Sequence, residues 1–224
     1  MSIADELAKV RDRISRAAAA VSRDPNEIRL IAVSKTKPPS AVREAYEAGH
    51  RDFGENYAQE LVQKAEELPD LGEINWHFIG HLQSNKARQI ARVAHMVQSI
   101  DSVSLVKELG KRVAKEGRGV LPVLIEVNVG GETQKHGAPP SDVGDVIGAI
   151  QAEPSLALRG LMTIPPNDLE GARRAFEALS SLRSIHGGKS KLPELSMGMS
   201  NDLEVAIACG ATMVRVGTAI FGDR

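Results

Sequence analysis

The chain has 224 residues, a formal net charge of −1, 42% hydrophobic residues and 25% charged residues. This balance gives no bulk electrostatic attraction to nucleic acid or to an anionic membrane, and the 3% aromatic content disfavours a base-stacking surface. The N-terminus mixes charged with apolar residues, unlike a signal peptide, and no apolar run approaches membrane-spanning length.

The single cysteine, Cys209, lies in an apolar stretch and is expected to be a small core residue rather than a nucleophile. One cysteine forms neither a disulfide framework nor a thiolate metal site, which fits a reducing cytoplasm. No linker-like or low-complexity segment interrupts the chain. We therefore expect a cytoplasmic protein with a single domain over residues 1–224.

Predicted helices and strands alternate from one end of the chain to the other. An amphipathic helix comes first, over residues 3–21, with Leu7, Val10 and Ile14 on one stripe. Strands are then predicted over residues 28–35, 51–54, 76–80, 96–100, 121–129, 158–164, 194–197 and 212–216. The intervening helices are predicted over residues 40–48, 57–68, 85–94, 102–115, 141–152, 169–185 and 201–209. Residues 189–191 are interpreted as a polar loop.

Strands that alternate with helices call for parallel pairing, and the number of units predicts a single α/β (β/α)₈ TIM barrel with an extra N-terminal helix. A doubly wound open sheet is the alternative. The sequence has no Gly-x-Gly-x-x-Gly after strand one and no phosphate-binding Gly-x-x-x-x-Gly-Lys-Ser/Thr motif, so the nucleotide-binding versions of that sheet lose support.

Lys35 ends the apolar run of the first predicted strand and precedes the turn signal Thr-Lys-Pro-Pro. Burial disfavours an ammonium group, so a lysine at a strand end can act as a nucleophile that forms a Schiff base with a carbonyl compound. An ordinary solvated lysine is the alternative. Lys37 has the same side-chain parity and competes for the role, although its place in a turn before Pro38 makes it more mobile.

Two further segments follow strands seven and eight, where barrels of this kind commonly bind phosphate. Ser200 is predicted to cap the helix that starts at Asn201, with free backbone N–H groups behind it. Gly217 permits a close approach of the backbone to a ligand, and Thr218 offers a hydroxyl. Together with Lys35, these segments indicate a site for a phosphorylated aldehyde.

Five segments, in order along the chain, resemble the pyridoxal phosphate homeostasis proteins (the YggS/PROSC family). They are VSKTKP at residues 33–38, FGENY at 53–57, WHFIGHLQSNK at 76–86, SMGMSND at 196–202 and RVGTAIFG at 215–222. The resemblance implies one barrel like the N-terminal domain of alanine racemase, and an intracellular role in controlling the supply of pyridoxal 5′-phosphate (PLP), a form of vitamin B6. It implies that PLP is held as a Schiff base and released to client enzymes without robust turnover.

The same resemblance implies a role for individual residues. Lys35 is the Schiff-base lysine, Arg215 faces the pyridine nitrogen and Asn56 lies near the ring. The residues that hold the phosphate are Ser200, Asn201, Gly217 and Thr218.

Arg215 bears on the choice between a carrier and a PLP-dependent amino-acid racemase. A guanidinium only donates hydrogen bonds, so a ring nitrogen that it contacts stays neutral and the ring is a poor electron sink. The alternative is that Arg215 forms a salt bridge within the barrel. Two-base racemisation also needs an acid or base on each face of the substrate carbon, and the tyrosines, Tyr46 and Tyr57, are both predicted in helices. The carrier is the favoured hypothesis.

The remaining expectations concern metals, mobile segments and assembly. The histidines at 77, 81, 95 and 136 lack the spacing of a metal site, so zinc is not expected. Residues 130–137 form a polar loop, interpreted either as a lid or as ordinary surface, and a part for Lys37 or Lys135 in PLP transfer stays open. The chain ends directly after strand eight, without the second domain of a racemase, which favours a monomer.

Overall fold

The computed structural model describes residues 2–132 and 134–222. Within them, parallel strands close into a barrel in the order β1 to β8, and β1 pairs with β8 to complete the ring. The strands are β1 (Arg29–Val33), β2 (Asp52–Glu55), β3 (Asn75–Phe78), β4 (Met96–Ile100), β5 (Leu121–Glu126), β6 (Leu156–Met162), β7 (Glu194–Ser196) and β8 (Met213–Val216). The predicted (β/α)₈ barrel is confirmed and the open-sheet alternative is wrong.

Helices connect and cover these strands. They are α1 (Ile3–Ala20), α2 (Pro39–Glu47), α3 (Ala58–Glu67), α4 (Ala87–Val93), α5 (Val103–Glu116), α6 (Val143–Gln151), α7 (Leu169–Ile185), α8 (Gly188–Lys191), α9 (Leu203–Ala208) and α10 (Thr218–Phe221). The extra helix α1 starts at a capping box in which Ser2 and Asp5 bond each other's backbone N–H groups. Its buried stripe contains Leu7, Val10 and Ile14, as predicted.

The core has two layers, as expected for this barrel. Most buried apolar side chains fill the space between the strands and the helices. A separate small cluster contains one residue from each of five strands: Ile31, Met96, Leu124, Met162 and Met213. The period-two alternation of each strand places this cluster inside the ring. Two residues further along a strand, a side chain also points into the barrel but lies nearer the carboxyl-terminal face, where the predicted site lies.

Several predicted boundaries are wrong. Strand five ends at Glu126 rather than at residue 129, because the chain beyond Val127 turns to its own loop, where the Asn128 N–H donates to the Ala138 carbonyl. Strand six starts two residues earlier than predicted, since Ser155 already accepts a hydrogen bond from the Leu121 N–H and continues the pairing. Residues 189–191 belong to the single turn α8, not to a loop. The short helix α10 was not predicted.

Candidate functional site

Lys35 lies on a tight turn at the carboxyl-terminal face of the barrel. β1 ends at Val33, and the Lys37 N–H bonds the Ser34 carbonyl at 3.0 Å to close the turn. Thr36 has a φ of 62°, which is strained for a β-branched residue. The prediction that Lys35 is the last residue of the strand is therefore wrong by two positions. The side chain of Lys35 is half-buried.

A buried network of polar side chains forms hydrogen bonds to this turn. The ammonium of Lys64 on α3 donates to the Ser34 carbonyl at 2.7 Å and to Glu55 Oε1 at 2.6 Å. The Ser34 hydroxyl donates to the same Glu55 oxygen at 2.7 Å, and the Thr36 N–H donates to Glu60 Oε2 at 2.8 Å. Burial raises the pKa of Glu55, against the opposing effect of Lys64 and Ser34. Both ends of the turn are thus fixed by side chains of β2 and α3.

Arg215 lies on β8, beside β1, and is 4% exposed. Its guanidinium donates to Ser196 Oγ at 2.7 Å and to the Thr163 carbonyl at 2.8 Å. Burial lowers the pKa of Arg215 to about 10, while the charges of Glu126 and Asp202 act in the opposite direction, so the group is cationic at neutral pH. In the described part of the chain its bonds go to neutral oxygens, not to the carboxylate of a salt bridge.

The segments after β7 and β8 meet, as the sequence predicted. Thr218 Oγ1 donates to Ser200 Oγ at 3.3 Å, which brings the two hydroxyls together. A Cβ atom at Gly217 would lie 3.3 Å from the Val33 carbonyl, so the close approach of β8 to the end of β1 favours glycine here. Asn201 follows Ser200 and is exposed.

Ser200 does not cap the next helix, and that prediction is wrong. The N-cap of α9 is Asp202, two residues later. The carboxylate of Asp202 instead accepts the Met199 N–H at 2.5 Å and closes a turn that contains Ser200. Arg13 from α1 donates to the Ser200 carbonyl at 3.0 Å. Ser200 is therefore presented on a loop that is tied at both ends.

Asn56 follows β2 at the same face. Its Oδ1 atom is buried and has no hydrogen-bond partner among the described residues. A buried acceptor without a donor carries a desolvation cost, and such atoms occur where a ligand or water completes the bond. Gly80 allows the close packing here, because a Cβ at that position would lie 2.0 Å from the Asn56 carbonyl oxygen.

Sequence reasoning missed Glu126, the last residue of β5. It is 3% exposed, and burial raises its pKa to about 7, with Arg215 opposing the shift and Asp101 adding to it. The missed signal was its position two residues after Leu124, which puts it on the inner side of the barrel. Lys64 was missed for a different reason, since a lysine in an amphipathic helix ordinarily faces water.

The loop after β5 packs beside the site. Its Lys135 forms an ion pair with Glu132 at 2.6 Å, and His136 stacks on His81 with ring centroids 3.8 Å apart. His81 lies 3.5 Å from Asp101 Oδ2. No group of three or more metal-ligating side chains suited to a metal ion occurs within residues 2–132 and 134–222. In the same residues, no helix is long and apolar enough to cross a bilayer.

Comparison with known proteins places the chain in a family. A family model described as the alanine racemase N-terminal domain matches residues 6–224. The chain is 49% identical, over 226 residues, to the pyridoxal phosphate homeostasis protein of Pseudomonas aeruginosa, with 100% of this chain and 96% of that protein covered. The chain belongs to the pyridoxal phosphate homeostasis protein family.

Solved structures agree with this family assignment. PipY from Synechococcus elongatus, solved with PLP bound, is 36% identical, with a TM-score of 0.84 over 98% of this chain and 100% of PipY. Alanine racemase from Corynebacterium glutamicum is 18% identical, with a TM-score of 0.68 over 99% of this chain and 61% of the racemase. The racemase similarity concerns the fold, whereas the homeostasis family is similar in sequence throughout.

Proposed function

We propose that this chain binds pyridoxal 5′-phosphate and serves in PLP homeostasis, holding the cofactor and releasing it to client enzymes without robust turnover. The observation that carries the proposal is the buried cation Arg215, which lies on the strand paired with the one that leads to Lys35. A single-domain monomer in the cytoplasm, with PLP-dependent enzymes as its clients, is part of the same proposal.

The residues at this face fit the chemical groups of PLP. Lys35 supplies an amine for the aldehyde, and Ser200 and Thr218 supply adjacent hydroxyls for the phosphate. The backbone at Gly217 and the side chain of Asn201 complete the phosphate end of the site. The buried Oδ1 of Asn56 is an acceptor in need of a donor, which a polar ligand can provide.

Bound PLP supplies an aldehyde that traps amines and an aromatic ring that can withdraw electrons from them. Arg215 limits the second property, because its N–H groups only donate and are suited to an unprotonated ring nitrogen. Glu126, whose charge acts on Arg215, has a pKa raised by burial to about 7, so it is a poorer acceptor for a protonated ring nitrogen than a carboxylate that is fully ionised at neutral pH. These side chains favour retention of the cofactor over carbanion chemistry.

Taken together, the side chains described at this face support a carrier better than a racemase. Tyr57 is the N-cap of α3 and is 49% exposed, so its ring is not shielded from water as an acid or base for proton transfer would need. The similarity to alanine racemase concerns the barrel alone.

Spectroscopic titration with PLP tests the proposal. The unaltered protein and Lys37→Ala are expected to develop the visible absorbance of a cofactor linked to an amine, and Lys35→Ala is expected to lose it. Loss of the absorbance in Lys37→Ala with retention in Lys35→Ala would transfer the role to Lys37. Absence of any absorbance change in the unaltered protein would refute PLP binding.

A further inference from the structure

A chain of hydrogen bonds crosses the inside of the barrel and ends at Arg215. The guanidinium donates to Ser196 Oγ at 2.7 Å, and Ser196 Oγ donates to Gln98 Oε1 at 2.6 Å. Gln98 Nε2 lies 3.1 Å from His77 Nδ1, and His77 Nε2 lies 3.0 Å from Asp52 Oδ1. Gln98 and Ser196 are 0% exposed and His77 is 2% exposed.

The donors in this chain all run in one direction. A guanidinium only donates, so the Ser196 hydroxyl accepts from Arg215 and donates its own O–H to Gln98 Oε1. That contact leaves the amide N–H₂ of Gln98 facing His77, so Nδ1 of the imidazole must accept. The proton of a neutral His77 is then on Nε2, where it is donated to the carboxylate of Asp52.

These hydrogen bonds link opposite ends of the barrel through a mostly apolar interior. Asp52 is the first residue of β2, at the amino-terminal end of the ring, whereas Arg215 lies at the site face on β8. Between them, Gln98 Nε2 lies 3.9 Å from the sulfur of Met96 and 3.7 Å from that of Met213, both in the interior cluster. Hydrogen bonds in such low-dielectric surroundings polarise one another and hold their orientation.

We propose that Gln98 and His77 are positioning residues for Arg215: they orient the Ser196 hydroxyl, and through it the guanidinium, toward the ring of the cofactor. This inference rests on the proposed function, in which Arg215 meets the ring nitrogen. It adds that the guanidinium is held by a polar chain anchored at the far end of the barrel, and not by Ser196 and Thr163 alone.

Protonation of His77 is expected to disturb this series of hydrogen bonds. A second proton, on Nδ1, would face the amide N–H₂ of Gln98, so the amide would have to turn and donate to Ser196 instead. The charged and titratable groups that act on this end are Asp52, with Arg29 of β1 next to it, and the imidazoles of His50 and His95. At the other end, Glu126 and Asp202 act on Arg215.

The first test needs no cofactor. Nitrogen-15 NMR of the unaltered protein is expected to show that the neutral form of His77 carries its proton on Nε2 and has an unprotonated Nδ1. A proton on Nδ1 would overturn the inference, because the Gln98 amide could not then donate to His77 while accepting from Ser196. This result does not depend on whether the protein binds PLP.

The second test compares Gln98→Met with Ser99→Ala. Methionine keeps the length of the side chain and fits beside two methionines, while Ser99 is a buried neighbour on the same strand whose hydroxyl has no partner in the described residues. Gln98→Met is expected to weaken PLP binding by about three- to tenfold, the scale of one lost buried hydrogen bond, and to shift the absorbance maximum of bound PLP. Ser99→Ala is expected to change neither.

Arg215→Met separates the two proposals. If its bound-PLP spectrum equals that of the unaltered protein, the placement of Arg215 in the proposed function is refuted. If Arg215→Met alters the spectrum and Gln98→Met leaves both spectrum and affinity unchanged, the positioning inference is overturned and the proposed function stands. If Gln98→Met does not fold, the NMR measurement on the unaltered protein decides.

Discussion

The ammonium of Lys64 donates a hydrogen bond of 2.7 Å to the carbonyl oxygen of Ser34, the residue before Lys35. Lys64 is 4% exposed and also bonds Glu55, which is 0% exposed. Because the two side chains come from a helix and a strand, the contact fixes the position of the turn relative to the barrel. The reactive lysine of the proposed site is therefore supported by a second lysine that is buried.

Removing Lys64 is expected to destabilise the protein strongly. Lys64→Met leaves the carboxylate of Glu55 buried without its counter-charge, which costs about 3–5 kcal/mol of unfolding free energy. The double variant Lys64→Met/Glu55→Met removes both charges and is expected to recover most of that loss. Urea unfolding measures both changes, and Glu60→Gln, which keeps an acceptor for the Thr36 N–H, is the matched control. Equal destabilisation by the single and double variants would show that the loss does not come from an unpaired Glu55 carboxylate.

The phosphate end of the site is expected to depend on two hydroxyls. Ser200→Ala and Thr218→Val should each weaken PLP binding by about 1–2 kcal/mol, the scale of a hydrogen bond to a charged group. Titration with pyridoxal, which lacks the phosphate, supplies the control, since neither substitution should affect it. Equal affinity of the unaltered protein for pyridoxal and its phosphate would be incompatible with this assignment.

Glu126 is expected to make the folded protein less stable as the pH rises. Burial raises its pKa to about 7 from an ordinary 4.5, so the folded state holds a proton that the unfolded state has already released. Stability due to this group is therefore greatest below the ordinary pKa and is lost as the pH rises through 7, by about 3 kcal/mol in total.

Glu126→Gln isolates that effect. The difference in unfolding free energy between the variant and the unaltered protein is expected to shift in favour of the variant as the pH rises from 5 to 8. The variant must be compared with the unaltered protein because burial lowers the pKa of His50 to about 4. His50 therefore makes the unfolding free energy change with pH in the opposite direction. A difference that does not change with pH would show that Glu126 is not held protonated.

The barrel could be predicted from sequence because short strands, several of them apolar runs, alternate with helices of clear amphipathic period. The position of Lys35 near the end of β1 followed from the same pattern. The turn itself could not be predicted, since the Ser34 carbonyl is held by Lys64, 30 residues away. Likewise Ser200 resembled a helix cap, but the choice between Ser200 and Asp202 depends on the Met199 N–H, which only the folded loop presents.

The hydrogen bonds of Gln98 inside the barrel could not be predicted from the sequence either. Gln98 lies beside Ser99 in a buried strand, and the sequence pattern gives no sign of which polar groups it meets. Its partners, Ser196 and His77, come from other strands, 98 and 21 residues away in the sequence. The roles of Asn56 and Arg215 came from family resemblance, whereas Ser200, Gly217 and Thr218 were also indicated by their positions after strands seven and eight. All of these roles stay predictions.

Incubation with L-alanine in deuterated water tests the absence of robust turnover. Since Arg215 is suited to a neutral ring nitrogen, exchange of the α-proton is expected to be slow compared with a racemase run in parallel. Racemisation at rates typical of enzymes, on the order of 1–10³ s⁻¹, would contradict the carrier function.

Borohydride reduction of the PLP-loaded protein, followed by peptide mapping, identifies the lysine that carries the cofactor. The pyridoxyl group is expected on the peptide that contains Lys35, with fragmentation placing it on that side chain. A pyridoxyl group on Lys37, or on any peptide without Lys35, would contradict this assignment.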